Sequence, residues 1–255
     1  MMTPRANTKS LVKTPAALEF AGFPAEGFRF LRQLKRNNDR DWFRERKADY
    51  ERYVEQPMRA LVLAVARECH THGIPLHAKE KNPVMRVYRD IRFSKDKRPF
   101  KTHVAAELRR SFVGGMSSNC IFYIHLSPEE SFLAAGVWQP ERPLLNTWRE
   151  TIVNEPVRFK KMCNYLARKG LEVSKAHALS SMPRGFQQHS EELTGPYLKL
   201  TSFVVSRPLQ SSECTKPACL KAVVDFARAA KPLLEFGWYI EDTYAGRIQK
   251  PVLVL

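Results

Sequence analysis

Glycine is scarce in this chain, with 11 residues in 255, and the glycine-dependent motifs of common enzymes are missing. The sequence contains no Gly-x-x-x-x-Gly-Lys loop and no Gly-x-Gly-x-x-Gly turn, the loops that bring backbone amides against phosphates. It also lacks the Gly-x-Ser-x-Gly elbow of serine hydrolases and the His-Glu-x-x-His helix of zinc proteases. P-loop enzymes, Rossmann-type dehydrogenases and these two hydrolase classes are therefore disfavoured.

Long hydrophobic runs and paired cysteines are missing as well. No run of 18 apolar residues of the kind that spans a membrane is present, so we expect no membrane partner. The cysteines number five, an odd count, and no two of them form Cys-x-x-Cys. This usage is typical of a reduced intracellular protein, which predicts a cytoplasmic location. We predict no cofactor and no resident metal.

Acidic residues are few relative to basic ones: 26 Asp and Glu face 42 Lys and Arg, a net charge of +16. Such a surface attracts polyanions and speeds their encounter, but it serves equally as a solvated face that keeps a protein soluble. Residues 1–20 are basic and lack the apolar core of a secretory signal, so we expect a disordered tail, with an organellar presequence as the alternative. Residues 21–255 are expected to form one domain, because no long linker interrupts them.

Periodicity separates helical segments from a strand-rich middle. Apolar residues at helical spacing predict helices over residues 28–36, 42–73, 143–153, 156–169 and 216–236. Alternation predicts strands over residues 84–93, 103–110, 120–126, 131–138 and 202–206. Proline is expected to interrupt the last helix at Pro232. Consecutive strands with short links pair antiparallel, so we predict an α+β domain with a mainly antiparallel sheet packed against several helices.

The densest charge lies in residues 86–101, called the cationic segment below, which holds seven cations and two acids. Interpreted as a strand, its period of two places Arg86, Asp90 and Arg92 on one face and Arg89 among apolar residues on the other. A buried guanidinium needs an anionic partner, because an unpaired buried charge costs several kcal/mol. That partner is either a protein carboxylate or a bound anion.

We predict an anion-binding site here, because the cations outnumber the acids that can neutralise them. The candidate residues are Arg86, Arg89, Arg92, Ser94, Lys97 and Lys101, with Asn38 and Arg40 at a nearby helix start. The expected ligand is phosphate, a phosphorylated small molecule or the backbone of a nucleic acid. Two alternatives stay open: an enzyme acting on an anionic substrate with Asp90 or His103 as general base, and a structural lattice of ion pairs without a ligand.

The remaining candidates for chemistry are weaker. One cluster after a helix contains potential metal ligands: Cys69, His70, His72 and His77. Zinc sites are more regularly spaced, and solvent-exposed histidines at a helix end are the ordinary alternative. Asp90 with Glu107 and Arg109 faintly resembles the acid pair and lysine of metal nucleases, but an arginine occupies the lysine position.

The cationic segment also resembles the hallmark of a family of conserved hypothetical bacterial proteins, DUF2461. That motif reads Arg-x-x-Arg-Asp-x-Arg-Phe-Ser-x-x-Lys-x-Pro-Tyr-Lys, and residues 86–101 match it except that Phe100 replaces the tyrosine. Other parts of the chain resemble the family at residues 34–43, 131–140, 182–186 and 202–207. The resemblance covers nearly the whole folded part. It implies no activity, substrate or catalytic residue, and Phe100 lacks any role that the tyrosine hydroxyl has.

Overall fold

The computed structural model describes residues 19–79, 81–111 and 117–246, so most of the expected basic tail and residues 247–255 lie outside the described residues. The helices are α1 Ala25–Arg36, α2 Arg40–Glu45, α3 Lys47–Tyr50, α4 Gln56–Thr71, α5 Arg142–Asn154, α6 Pro156–Arg168, α7 Gly195–Leu198, α8 Ser211–Cys214 and α9 Ala218–Tyr244. A π-helical turn, Glu51–Glu55, joins α3 to α4, and a 3-10 turn covers Gln187–His189. The strands are β1 His77–Ala78, β2 Val104–Ser111, β3 Ser117–Leu126, β4 Ser131–Val137 and β5 Phe203–Leu209.

The five strands form one antiparallel sheet in chain order, β1 to β5, as the short links predicted. Helices α4 and α9 pack against one face, called the core face, where Phe122 and Ile124 of β3 are fully buried. The alternate residues Tyr123 and His125 point to the opposite face, called the open face, and are partly exposed. The α+β prediction with a mainly antiparallel sheet is therefore confirmed.

Helix α9 runs without interruption through Pro232, so the predicted break there is wrong. Proline removes one amide donor and crowds the preceding turn. On either side of it, however, Ala230 and Leu233 are fully buried in the core, and this packing holds the helix together. Within the described ranges, no helix combines the length and apolar composition that a membrane crossing requires.

The predicted strand over residues 84–93 is also wrong, because only isolated bridges join this stretch to the chain that follows. Two aspartates explain the difference. The Asp90 carboxylate accepts the Arg92 amide at 3.3 Å, and the Asp96 carboxylate accepts the Arg98 amide at 3.1 Å. Such local bonds compete with strand pairing and turn the chain back on itself. Of the predicted apolar face, Val87 is buried in the core, whereas Phe93 is 96% exposed.

Candidate anion-binding site

The cationic segment is a loop whose two arms run antiparallel at its base. The Arg89 amide donates to the Pro99 carbonyl at 2.9 Å, and the Lys101 amide donates to the Val87 carbonyl at 2.8 Å. The second arm continues directly into β2. The loop therefore projects from the sheet at the start of β2, and its base places Lys101 opposite Val87, beside Arg86.

Asn38 holds this second arm in place. Its Nδ2 donates to the Phe100 carbonyl at 3.0 Å, and its Oδ1 accepts the Phe100 amide at 2.9 Å. The carboxamide is therefore engaged by the backbone. Arg40 is exposed at the first residue of α2, where the Asp39 carboxylate already accepts two backbone amides of that helix. Those amides are not available to a ligand.

Three arginines of the loop form ion pairs with aspartates of the same loop. Arg89 Nη1 lies 2.6 Å from Asp96 Oδ2, and Arg98 Nη2 lies 2.7 Å from the same oxygen. Arg92 forms a two-bond pair with Asp90, through Nη2 at 2.7 Å and Nε at 3.0 Å. These contacts hold the pKa of the Asp96 and Asp90 carboxyls below its usual range. The anionic partner predicted for Arg89 is thus a protein carboxylate.

The other polar candidates of the loop are partly satisfied by its backbone. The Lys97 ammonium donates to the Ile91 carbonyl at 3.1 Å. Ser94 is partly buried, and its backbone amide donates to the same carbonyl at 3.3 Å. Through these bonds Lys97 and Ser94 close the turn of the loop, whereas the sequence analysis predicted that both residues contact a bound anion.

Arg86 and Lys101 differ from the three paired arginines and from Lys97. Within the described part of the chain, neither forms an ion pair or a side-chain hydrogen bond. Lys101 is partly buried, and this burial together with Arg86 lowers the pKa of its ammonium. His103 follows, and burial together with Lys101 lowers the pKa of its imidazole. Arg86, Lys101 and His103 are called the basic cluster below.

Two carboxylates that share a groove with Arg86 are engaged by other cations. A groove of about 270 Å³ lies beside Arg86 and is also lined by Glu51 and Glu55. Glu51 lies 3.4 Å from the Lys47 ammonium, and Glu55 lies 3.8 Å from the Arg59 guanidinium. Asp90, whose pKa Arg86 also helps to lower, pairs with Arg92.

A row of rings on the open face adjoins the basic cluster, and sequence reasoning did not single it out. The rings of His103 and His125 lie 4.2 Å apart, and His125 stacks on Phe132 at 4.7 Å with an interplanar angle of 14°. The Tyr123 hydroxyl lies 3.3 Å from Nδ1 of His125. Burial and the neighbouring His103 lower the pKa of His125 to about 4. The alternation of β3 placed these side chains on one face, but which face the helices leave open depends on tertiary packing.

The weaker candidates do not assemble into a site. The rings of His70 and His77 lie 4.5 Å apart, but Cys69 is buried in the hydrophobic core. In the described ranges, no group of three or more His, Cys, Asp or Glu residues is arranged to hold a metal. The two acids of the nuclease pattern each pair with an arginine: Glu107 with Arg109 at 2.8 Å and Asp90 with Arg92 at 2.7 Å.

Comparison with known proteins identifies a family but no relative of known activity. A family model described as conserved hypothetical protein, DUF2461, matches residues 26–236, most of the chain. The match includes the whole cationic segment and all five strands. Searches of curated proteins and of solved structures found no match.

Proposed function

The chain belongs to the DUF2461 family of conserved hypothetical proteins, and we propose that it binds a phosphate-type anion between Arg86 and Lys101, beside His103. One observation carries this proposal. Lys101 is partly buried next to a second cation, and no described carboxylate bonds to either of them. Removing an ammonium from water beside another positive charge is unfavourable, and a bound anion reverses that cost.

The donor set favours a tetrahedral oxyanion. The guanidinium of Arg86 offers a planar fork for two oxygens, and the ammonium of Lys101 offers a point charge for a third. His103 adds a ring N–H from the side of the sheet. A single phosphate group can meet all three, whereas a nucleic acid backbone needs a row of free cations. Arg89, Arg92 and Arg98 would continue such a row, but each of them is engaged in an ion pair with Asp96 or Asp90.

Titration with inorganic phosphate, followed by calorimetry, tests the proposal. We expect Arg86→Gln and Lys101→Met each to weaken phosphate binding by about tenfold or more, which corresponds to ~1.4 kcal/mol. Lys95→Met is the matched control, because Lys95 is exposed on the same loop and makes no side-chain contact among the described residues. It removes the same charge and should stay within about twofold of the unmodified protein. An equal loss in all three variants, or no phosphate binding at all, would contradict the site.

Catalysis of a reaction on the bound ligand is the second candidate function, and the lowered pKa of His103 favours it. Its lowered pKa keeps the imidazole neutral near pH 7, ready to accept a proton beside the anion. Asp90, the other proposed base, is held as a carboxylate by Arg92. If turnover of a phosphorylated substrate is found, His103→Asn should abolish it, whereas Asp90→Asn should not. The reverse pattern would assign the base to Asp90.

A further inference from the structure

The open face of the sheet carries a groove of about 530 Å³, called the sheet groove, which is mainly apolar. Tyr123, Phe132, Trp138 and His177 contribute rings to its lining. A volume of this size is typical of small-molecule sites, which are mostly apolar with a few polar groups. Trp138 is 56% exposed, and a tryptophan left in solvent beside other rings commonly marks a binding surface.

A row of ring contacts connects the sheet groove with the basic cluster. In the strand register, Ala105 of β2 lies opposite His125 of β3, which lies opposite Phe132 of β4. Phe132 lines the groove and stacks on His125, whose ring lies 4.2 Å from that of His103. One ligand can therefore contact both places: its apolar part lies in the groove and its charged part reaches past the histidines.

The floor of the groove is flat because small residues follow Phe132 along β4. Ala134 and Gly136 face the groove, and Gly136 has φ of +127°. A Cβ at Gly136 would come within 2.0 Å of the Phe203 carbonyl oxygen, so only glycine fits there. At the far end, the Trp138 and His177 rings meet edge to face at 4.6 Å. A flat floor between aromatic side chains suits a planar ring.

Polar groups within the groove narrow the ligand class. Ser174, Ser206 and Glu130 line it together with the aromatic rings. A purely hydrocarbon ligand would bury these groups without hydrogen bonds, which is unfavourable. A planar ring with nitrogen and oxygen atoms at its edge can stack and also form those bonds.

We propose that the sheet groove binds the heteroaromatic base of a ligand whose phosphate occupies the basic cluster, the class to which nucleoside monophosphates belong. This inference rests on the proposed function, because the basic cluster supplies the phosphate site. Side chains would hold such a ligand without a glycine-rich loop, which agrees with the absence of such loops from the sequence.

Three matched ligands separate the base from the phosphate: adenosine monophosphate, ribose 5-phosphate and inorganic phosphate. We expect adenosine monophosphate to bind about tenfold or more tightly than ribose 5-phosphate, because only it carries a base to stack. Trp138→Ala should remove that advantage and leave the affinity for ribose 5-phosphate unchanged. Tyr244→Ala is the control, because Tyr244 is similarly exposed, at 51%, and lies at the end of α9, outside the groove lining.

Each result tests a different part of the proposal: the base site, the rings that stack on the base, or the phosphate site. Equal affinities for adenosine monophosphate and ribose 5-phosphate overturn the inference while the phosphate site stands. An advantage of the base that survives in Trp138→Ala and in Tyr123→Leu also overturns it, because the base would then stack elsewhere. If neither inorganic phosphate nor ribose 5-phosphate binds, the proposed function itself fails.

Discussion

Asn38 and Phe100 together fix the position of the residue that follows them, Lys101. The Asn38 carboxamide bonds both backbone groups of Phe100, and the Phe100 ring stacks on Phe43 with centroids 4.2 Å apart. Phe100 is only 2% exposed, so a tyrosine hydroxyl there would need a buried partner. The departure from the family motif at this position therefore suits the packing in this chain.

Asn38→Ala should destabilise the protein by about 2–3 kcal/mol, because two backbone groups would lose their hydrogen bonds. The free energy of unfolding in urea measures this. Asn37→Ala is the control: the Asn37 side chain is exposed and donates one bond to the Gln33 carbonyl at the end of α1, so its loss should cost under about 1 kcal/mol. Equal costs for the two variants would show that the Asn38 carboxamide does not hold the loop.

His125 predicts a stability change with pH. Burial and His103 lower its pKa from 6.5 to about 4, so the folded state favours the neutral ring. The unfolded chain takes up a proton as pH falls below about 6.5, and stability from His125 is therefore intact above that value and lost toward pH 4.

After allowance for partial exposure, wild type should lose about 1 kcal/mol more than His125→Gln between pH 7 and pH 4.5. Urea unfolding across this range provides the measurement. His72→Gln, at an exposed histidine after α4, should run parallel to wild type. Parallel curves for wild type and His125→Gln would refute the explanation.

At the scale of elements, the fit of α9 against β3 fixes the core face and so leaves the other face open. The Glu241 carboxylate of α9 accepts bonds from the Asn119 amide at 2.6 Å and the Cys120 amide at 2.7 Å. The Trp238 indole donates to the Cys120 carbonyl at 3.2 Å. These contacts between helix and strand join α9 to the beginning of β3 and satisfy backbone groups that would otherwise be buried unpaired.

At Gly237, α9 packs against β3 with no room for a side chain. A Cβ there would lie 2.4 Å from Cys120 Sγ and 3.1 Å from Trp148 Cζ2. Gly→Ala within a helix normally adds up to about 1 kcal/mol of stability, but here we expect a loss of about 1–3 kcal/mol from overpacking. Thermal unfolding measures whether the Gly237→Ala variant is less or more stable than wild type. Cys120→Ala in the same chain should restore part of the loss, and a stabilised Gly237→Ala variant would contradict this packing.

The loop of residues 86–101 shows where alternation misleads. Its apolar and polar residues alternate as in a strand, yet Asp90 and Asp96 each bond the backbone amide and guanidinium of the arginine two residues later. The sequence shows how many cations and acids this loop contains. It did not give the sharing of Asp96 by Arg89 and Arg98, because only the turn of the loop brings these two arginines to one carboxylate.

For the whole molecule, the fold class could be predicted from sequence, because alternation with short links favours antiparallel strands. Strands β2 to β5 and helices α5 and α6 lie within a few residues of their predicted positions. The candidate site could be predicted only in part. Arg86, Lys101 and His103 were named, but the rings of Tyr123, His125 and Phe132 were not, because their position depends on which face α4 and α9 cover.

The net charge of +16 gives every surface cation some affinity for anions. The position of the bound anion, and not binding alone, therefore tests the proposed site. The most direct measurement is X-ray diffraction from crystals soaked in selenate, a tetrahedral anion whose selenium gives an anomalous signal. We predict a peak between the guanidinium of Arg86 and the ammonium of Lys101, within reach of His103. An anomalous peak beside Arg89, Arg92 or Arg98 instead, or carboxylates bonded to both Arg86 and Lys101, would contradict the proposed anion site.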